Sequence, residues 1–519
     1  MYCKPISASK KCVILAFPNM KKYDVVIIGS GIGGLLSAVI LAKAGKRVVV
    51  LEQQKQIGGC LQTFAFQKKV FDSCVHYISA MDEGQVQHQL FKYAGIIQHL
   101  KVQQLDKDGF DRILMPDGIN YPIPQGIDHF VESLSTYFPA SQAALQQYAN
   151  TIVATCDKFP LFHLKNGDTA AKQEVLHWNM QEVMQHIPDA RLRQVLLGNN
   201  LLYAGSENNT PFYIHALVNK SFIDSAYKCV GGSSQIAKYL RRSLMSMGGE
   251  VYTHQKVTAL KMENGLIADV VTDQGQQFQG HTVVANVHPA QVIKWLPEHA
   301  LRKLYTQRIA AAPNSISAFM VNVVLKPGTV PHRNHNIYWN KEGNCYAGIH
   351  YKLEDWPNNF ALYFNEDAHR PGFSESVAIL TYMHAAEVKI WQHTYNTAAQ
   401  PTSREESYQD FKAKKAAVLL QVVGNYYPEL LQQHQSHQAA TPLTFKDYMG
   451  TSDGSMYGIM ANVNQPLQTT LTSKTKIPNL YLTGQNIGVH GVYGVSVNAV
   501  ATCGEILGLD YLLSNINKV

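Results

Sequence analysis

Three glycines and one acid stand at a spacing that does chemistry with a dinucleotide. Gly29, Gly31 and Gly34 form G-x-G-x-x-G, with Ile32 and Gly33 inside the turn, and Glu52 follows 18 positions after Gly34, with Gln53 beside it. Gly29 lets the chain turn sharply, Gly31 leaves room for a pyrophosphate against the backbone, and Gly34 lets a helix pack closely on a strand. The free N–H groups at the start of that helix attract phosphate. A carboxylate at the end of the next strand accepts hydrogen bonds from ribose hydroxyls. The flanks support this reading: β-branched Val25 to Ile28 comes before the glycines, an Ala/Leu-rich stretch runs to Ala44-Gly45, and Val48 to Leu51 ends on Glu52. These predict strand, turn, helix and parallel strand. The uncharged run 25–42 has the length of a short membrane span, but the glycines near its start and the switch from Val/Ile to Ala/Leu favour strand plus helix.

A second constellation follows at once. Gly58-Gly59 and Thr63 lie in GGCLQTF, and FDSCVHYI runs from Phe71 to Ile78. Near the C-terminus, IPNLYLTGQNIGVHGVYGVSVNAVATCGEILG spans Ile477 to Gly508. A short strand to Thr483, Gly484, a loop to Gly494 and a helix of small residues would let backbone approach a flat ring system, with helix N–H groups where charge collects on reduction. Together these motifs resemble the retinol saturase, carotenoid isomerase and phytoene desaturase family, within the superfamily that includes the amine oxidases. Cys60 stands where many members carry Arg, and Asn486 stands where the C-terminal signature carries Asp. The resemblance implies FAD, held by Gly29, Gly31, Ile32, Gly33, Gly34, Glu52, Gln53, Gly58, Gly59, Thr63, Gly484, Gln485, Asn486, Gly494 and Val495, with Val257 in the adenine-contacting strand.

It also implies an FAD-dependent oxidoreductase acting on carbon–carbon bonds of a long apolar polyene or isoprenoid, in the manner of a retinol-saturase-like reductase. Carotenoid desaturation or isomerisation is the alternative. An amine oxidase shares the fold, and Rab escort and GDP-dissociation inhibitor proteins use it to bind prenyl groups without flavin chemistry. Adding hydrogen across a double bond needs a hydride and a proton, so His76, Tyr77, His490 and Tyr493 are candidate proton donors. Their bland reading is that they orient the flavin or fill the cavity wall. No second G-x-G-x-x-G offers a standing nicotinamide site, which leaves the electron partner open.

The elements that position these groups imply an α/β fold: a Rossmann-like FAD-binding domain of glutathione-reductase type, discontinuous, with an inserted α+β substrate domain. The boundaries read as an extension at 1–22, FAD-binding segments at 23–90, 226–299 and 475–519, and substrate segments at 91–225 and 300–474. Residues 105–124 read as hairpins around Asp108-Gly109 and Asp117-Gly118, and residues 126–225 as mostly helical. The run 187–205 presents a continuous apolar helix face, with Phe159, Phe162, Trp178, Tyr203, Phe212, Tyr213 and Phe222 around it, either core or the wall of a deep pocket. HTVVANVHPA, 281–290, resembles the strand and exit loop that return toward the flavin. Ile316–Leu325, Tyr346–Tyr351 and Val377–Met383 read as strands, Glu405–Tyr426 as a basic amphipathic helix, and Thr441–Gly458 as turn-rich.

Composition sets outer limits. The chain has 519 residues, enough for two or three domains, and its net charge of +7 without a basic run argues against nucleic acid. The 8 cysteines form no C-x-x-C and the 21 histidines no H-E-x-x-H; pairs such as His332/His335 and His434/His437 lack a third ligand, so no metal site is expected. Scattered cysteines fit a cytoplasmic setting. An apolar substrate adds the expectation of peripheral membrane association without a spanning helix. Val13 to Phe17 is too short for a signal-peptide core, so residues 1–19 read as a disordered extension.

Overall fold

The computed structural model describes residues 22–167 and 170–519, so the N-terminal extension, Cys3 and Cys12 lie outside the described residues. The strand Lys22–Ile28, the helix Ile32–Lys43 and the strand Val48–Leu51 form as their patterning predicts. Lys22–Ile28 is central in a seven-stranded sheet. It pairs in parallel with Val48–Leu51, Val25 opposite Val48, and with Gln277–Ala285, Val25 opposite Thr282. Glu250–Tyr252 adds beside Val48–Leu51, and Leu480–Leu482 beside Gln277–Ala285. The antiparallel strands Leu266–Thr272 and Val257–Glu263 complete the sheet. Three distant stretches of chain therefore meet in one sheet.

Alternation sends Val25 and Ile27 into one core and Val26 and Ile28 into another, which is why the strand is apolar at every step. The helix Ile32–Lys43 is buried from Ile32 to Ala42 between the sheet and the helices Ser234–Ser246 and Gly491–Leu507. Burial on all sides accounts for its uncharged sequence. Among the described residues no helix is long and apolar enough to cross a membrane.

A second seven-stranded sheet runs His434–Ala440, Ser317–Leu325, Ser374–Met383, Asn359–Glu366, Asn336–Asn340, Asp111–Leu114, Asn120–Ile123. The hairpin expected in 105–124 forms its last two strands and joins in parallel, Asn336 opposite Asp111. Tyr346–Tyr351 is not a strand: the N–H groups of Ile349 and His350 both bond back to the Tyr346 carbonyl, folding the segment into turns. A side chain at Gly348 would also meet the Asn359 amide at 2.1 Å. Asn336–Asn340, Asn359–Glu366 and His434–Ala440 are strands the pattern did not disclose. The last, HQSHQAA, is a polar edge strand held by its pairing with Ser317–Leu325.

Two further expectations are corrected. The run 187–205 is not one continuous helix: it forms an α-helix over Ala190–Leu196 and a 3-10 turn over Asn200–Leu202, and between them Gly198 is pressed against Ile113, where a Cβ would come within 2.3 Å of the side chain. Thr441–Gly458 is not turn-rich throughout: Thr441 and Thr444 form a reciprocal cap and Pro442 opens the helix Pro442–Met449. Around these helices Phe162, Tyr203 and Phe212 are core, and Trp178 faces outward.

The helix Glu406–Tyr426 covers the outer face of the second sheet through Ala416, Leu419, Leu420 and Val423, against a cluster that includes Phe319, Val321 and Ile379. Lys415 is tied to Glu387 at 2.6 Å and lies over the Trp356 ring. Its apolar side is thus committed to its own domain rather than to a bilayer. Leu419→Ala is expected to lower unfolding free energy by about 2–5 kcal/mol, while Val418→Ala, 44% exposed one residue away, changes it by less than about 0.5 kcal/mol, both read by denaturant unfolding.

Candidate active site

The ends of the parallel strands and one face of the second sheet enclose a cavity of about 670 Å³. One end of its lining is glycine-rich and polar. At Gly29, φ is +95° and a Cβ would sit 2.7 Å from the Asn286 carbonyl, so only glycine makes this turn. At Gly34 a Cβ would lie 2.1 Å from the Gly29 carbonyl, which is the close helix–strand packing the motif implies. Gly34 supports the turn from behind and is not part of the wall.

Glu52, 6% exposed, is fixed by three hydrogen bonds. Its Oε2 accepts from the Ser30 N–H at 3.0 Å and the Ser30 hydroxyl at 2.5 Å, and Oε1 from the Gln54 N–H at 2.8 Å. Ser30 Oγ in turn accepts from the Gly58 N–H at 3.1 Å. A single serine therefore ties the first glycine loop, the ribose acid and the second glycine pair together.

The cavity collects nearly every residue singled out by motif: Gly29, Gly31, Ile32, Gly33, Glu52, Gln53, Gly58, Gly59, Val257, Gly484, Gln485, Asn486, Gly494 and Val495, together with His76, Tyr77, His490 and Tyr493. Besides Gly34, Thr63 is the exception. It lies on the strand Thr63–Phe66, outside the wall, with its hydroxyl 2.9 Å from that of Ser234, so it holds a hairpin to a helix. Asn486 is partly spent on structure, since its Oδ1 accepts from the Ile459 N–H at 3.0 Å and only its amide NH₂ is left to offer a ligand. The C-terminal helix starts at Gly491, three residues before the expected point.

Two asparagines escaped the sequence reading. Asn286, in the exit loop of 281–290, stands beside Gly29, Gly31, Gly33, Gly34 and Gly484 and donates to the Gly29 carbonyl at 3.3 Å. Asn498 donates to the carbonyls of Gly484 and Val489, both at 3.0 Å, and closes the C-terminal loop. The exit loop was legible as a feature, but nothing local marked Asn286 as the residue packed between both glycine loops.

The other end is apolar, lined by residues such as Leu202, Val218, Phe222, Met320, Leu380 and Met456. Of the aromatics grouped by sequence around 187–205, Phe222 alone is in this wall. His76 stacks on Tyr363 at 4.1 Å, and His490 lies 4.3 Å from Tyr457. Burial, helped by the Lys228 charge, pushes His76 down to about 3, and burial pushes His490 down to about 4, so both imidazoles are neutral at physiological pH. They can orient a ligand, but neither holds the imidazolium proton that a histidine acid would deliver. Tyr493 gives its hydroxyl to the Phe162 carbonyl at 2.8 Å. Tyr77 donates to Asp111 Oδ2 at 3.0 Å and lies 2.8 Å from the Tyr338 hydroxyl. Asp111 is fully buried, and burial raises its carboxyl to about 7.

The lining fits a ligand that is polar at one end. Gln54 Oε1, Gln255 Oε1, Thr451 Oγ1, Thr483 Oγ1, His76 Nε2 and His490 Nε2 are buried atoms of wall residues with no hydrogen-bond partner in the protein. Each costs about 1–3 kcal/mol when left unpaired, and a dinucleotide with a polar ring head would supply partners.

Comparison with known proteins agrees with this layout. The family described as NAD(P)-binding Rossmann-like domain matches residues 27–94. All-trans-retinol 13,14-reductase of Rattus norvegicus is 27% identical, covering 96% of this chain and 88% of its own. Phytoene desaturase (lycopene-forming) of Pantoea ananas is 23% identical, covering 93% and 98%. Prolycopene isomerase 1, chloroplastic, of an Oncidium hybrid cultivar is 22% identical, covering 92% and 83%. Among solved structures, putrescine oxidase bound to putrescine shares the fold with a TM-score of 0.64 at 14% identity, covering 94% of this chain and 99% of that one. The resemblance read from GGCLQTF, FDSCVHYI and TGQN therefore extends along nearly the whole chain.

Two predictions follow from the geometry. Cys60 and Cys74 line the cavity at intermediate exposure, whereas Cys156, Cys229, Cys345 and Cys503 are buried. The hydrogen bond between the two thiols holds Cys60 below the usual thiol range and, with burial, pushes Cys74 well above it, so a small maleimide is expected to label Cys60 first in the native protein, read by peptide mass, and a bound dinucleotide to slow it. The second concerns pH. Asp111 ionises near 3.8 when unfolded and near 7 when folded, so its native form binds the extra proton and stability falls as pH rises from about 4 to 7, then levels. The Asp111→Asn protein lacks this fall, and its stability relative to wild type should rise by on the order of 4 kcal/mol across that window in denaturant unfolding.

Proposed function

We propose that this protein is an FAD-dependent oxidoreductase of the group formed by retinol 13,14-reductases, prolycopene isomerases and phytoene desaturases, reducing a carbon–carbon double bond of a long apolar polyene. The observation that carries this reading is the two-ended cavity, with glycine loops and orphaned polar atoms at one end and an apolar chamber at the other. In this reading the turn at Gly29–Gly33 and the start of the helix Ile32–Lys43 hold the pyrophosphate, Glu52 the adenosine ribose, and Val257 the adenine. Gly58-Gly59, Gly484 and the Gly494–Val495 helix turn take the flavin. When bound, the flavin supplies two-electron chemistry at its ring.

The rest falls to the chain. The apolar wall binds the polyene by burial and excludes water, which protects hydride chemistry and strengthens every polar contact inside. Neutral His76 and His490 offer directional hydrogen bonds without placing a charge beside a hydrocarbon. The carboxylates in the wall are Glu52, held by Ser30 and Gln54, and Asp447, paired with Arg404. Neither lies free in the apolar half to meet an ammonium, which favours a polyene over an amine.

An apolar substrate arrives from a bilayer, and we place reversible membrane contact on the helix Lys303–Ala311. Leu304 protrudes there at 81% exposure, and Leu467 of the short helix Pro466–Thr469 at 83%; Arg308 joins the two helices by a hydrogen bond to the Leu467 carbonyl, with Arg302 and Lys303 alongside. Insertion of leucines flanked by cations suits an anionic lipid surface.

The purified protein is expected to show the visible bands of oxidised flavin. Reduced anaerobically and mixed with all-trans-retinol, it should reoxidise as polyene absorbance is lost. A colourless protein that FAD does not reconstitute would end the flavoprotein reading. Bleaching of oxidised flavin by a polyene would make it a desaturase, and a shifted polyene spectrum with the flavin left reduced an isomerase. On vesicles containing anionic lipid, Leu304→Asp/Leu467→Asp should lose at least about fivefold of the bound fraction in flotation.

A further inference from the structure

Reducing a double bond needs a proton at the second carbon, and the cavity histidines hold none to give. A buried carboxyl lies within reach of the same wall through a chain of phenols. Asp111 sits at the start of the strand Asp111–Leu114, fully buried. Its Oδ1 accepts from the Asn336 side chain at 2.9 Å, which leaves Oδ2 to the Tyr77 hydroxyl at 3.0 Å. Tyr77 and Tyr338 hydroxyls are 2.8 Å apart, and those of Tyr338 and Tyr363 are 3.2 Å apart. Tyr363 is part of the cavity wall, stacked on His76.

We propose that Asp111, Tyr77, Tyr338 and Tyr363 form a proton relay that exchanges a proton between the buried carboxyl and the substrate in the apolar chamber. The proposal rests on the polyene reading above. Each phenol carries one hydrogen, so the chain has two self-consistent states. With Asp111 protonated, every O–H points outward, from the carboxyl through Tyr77 and Tyr338 to Tyr363 and the chamber. With Asp111 ionised, every O–H points inward, from Tyr363 through Tyr338 and Tyr77 to the carboxylate.

In reduction, a hydride equivalent, the chemistry a bound flavin would supply, would add at one carbon of the double bond. The electron pair of the broken π bond forms the new C–H bond at the other. The proton for that bond leaves Tyr363, which is refilled from Tyr338, Tyr338 from Tyr77, and Tyr77 from the Asp111 carboxyl, which becomes a carboxylate. Running in the other sense, the same chain accepts a proton, so the relay serves reduction and desaturation alike.

The surroundings suit a carboxyl that switches. The groups facing it are Asn336, Tyr77 and Asn199, with the phenols of Tyr338 and Tyr363 beyond, and no described cation is ion-paired with it. Lys228 acts on His76 rather than on Asp111, Arg112 turns away to Asp106, and Tyr457 and Tyr382 bear on the cavity end of the chain. Burial without a counter-charge keeps the proton on Asp111 until near neutral pH, where a relay must both give and regain it. Tyr77 also lines the cavity, but its hydroxyl is held between Asp111 Oδ2 and the Tyr338 hydroxyl, so the chain meets the chamber at Tyr363, and Asp111 supplies the proton through the phenols.

The test uses the full-length flavoprotein, all-trans-retinol as probe, and the variants Asp111→Asn, Tyr338→Phe and Tyr363→Phe. Tyr338→Phe removes the middle oxygen and leaves both ends in place. The expected result is a fall of at least about 30-fold in kcat with KM within about twofold for each variant, and loss of the solvent isotope effect and of the pH break near neutrality in Asp111→Asn. Infrared difference spectra, which need no turnover, should show the Asp111 carboxyl band titrating near neutral pH in wild type and in Tyr338→Phe, and missing in Asp111→Asn. Turnover of Tyr338→Phe and Asp111→Asn at the wild-type rate with the wild-type pH profile would overturn the relay, as would a carboxyl ionised throughout. If wild type and variants are equally idle on retinol and longer polyenes, the polyene reading itself has failed and takes the relay with it.

Discussion

The position of Ser30 is the constraint on which the site depends. Its N–H and hydroxyl hold Glu52, and its oxygen accepts from Gly58, so the first glycine turn, the end of the second strand and the second glycine pair move as one body. Glu52 is almost without solvent, and hydrogen bonds to each of its carboxyl oxygens offset the cost of burying it. Remove those bonds and three loops lose their common reference. Asn286 extends the same arrangement to the C-terminal loop, because it packs between Gly33 and Gly484. The dinucleotide end is therefore rigid before any ligand arrives, which lowers the ordering cost of binding.

The apolar end is built by different physics. The second sheet presents Met320, Tyr363 and Leu380 from three neighbouring strands, and the helical region supplies Leu202, Val218 and Phe222. A hydrocarbon needs no directional partner, so shape and dryness suffice here. Polar groups embedded in this wall are satisfied from behind, as with the hydroxyl chain from Tyr363 to Asp111, or left as orphaned atoms facing the ligand, as with His76 Nε2. Dryness also decides the histidines. The residue type that sequence reasoning favours for acid chemistry is neutral here, because its charged form would be buried beside a hydrocarbon.

Motifs made of consecutive residues were legible in the chain itself. The strand from Val25, the glycine turn and the helix after it, the acid at Glu52, the glycine pair at 58–59 and the small-residue helix expected after Gly494 each owe their form to local backbone needs, so spacing predicted them, though the last helix starts already at Gly491, and they converge on one cavity. The strands at 336–340, 359–366 and 434–440 were not, since their conformation is paid for by neighbours in the sheet rather than by their own pattern. Tyr346–Tyr351 errs in the opposite sense, with strand-like residues and no neighbour to pair with.

Residue spacing alone disclosed a dinucleotide fold, the position of its glycine loops, and a likeness to retinol 13,14-reductases, prolycopene isomerases and phytoene desaturases. Short-range sterics and spacing carry that information. Only the tertiary structure decided that Thr63 braces a hairpin, that Asn286 and Asn498 hold the loops, and that Asp111, remote in sequence from Tyr338 and Tyr363, ends a hydrogen-bonded chain to the cavity. Hydrogen-bond partners and desolvation are properties of space, and the 34 positions between Tyr77 and Asp111 and the 261 between Tyr77 and Tyr338 are closed only when the chain folds.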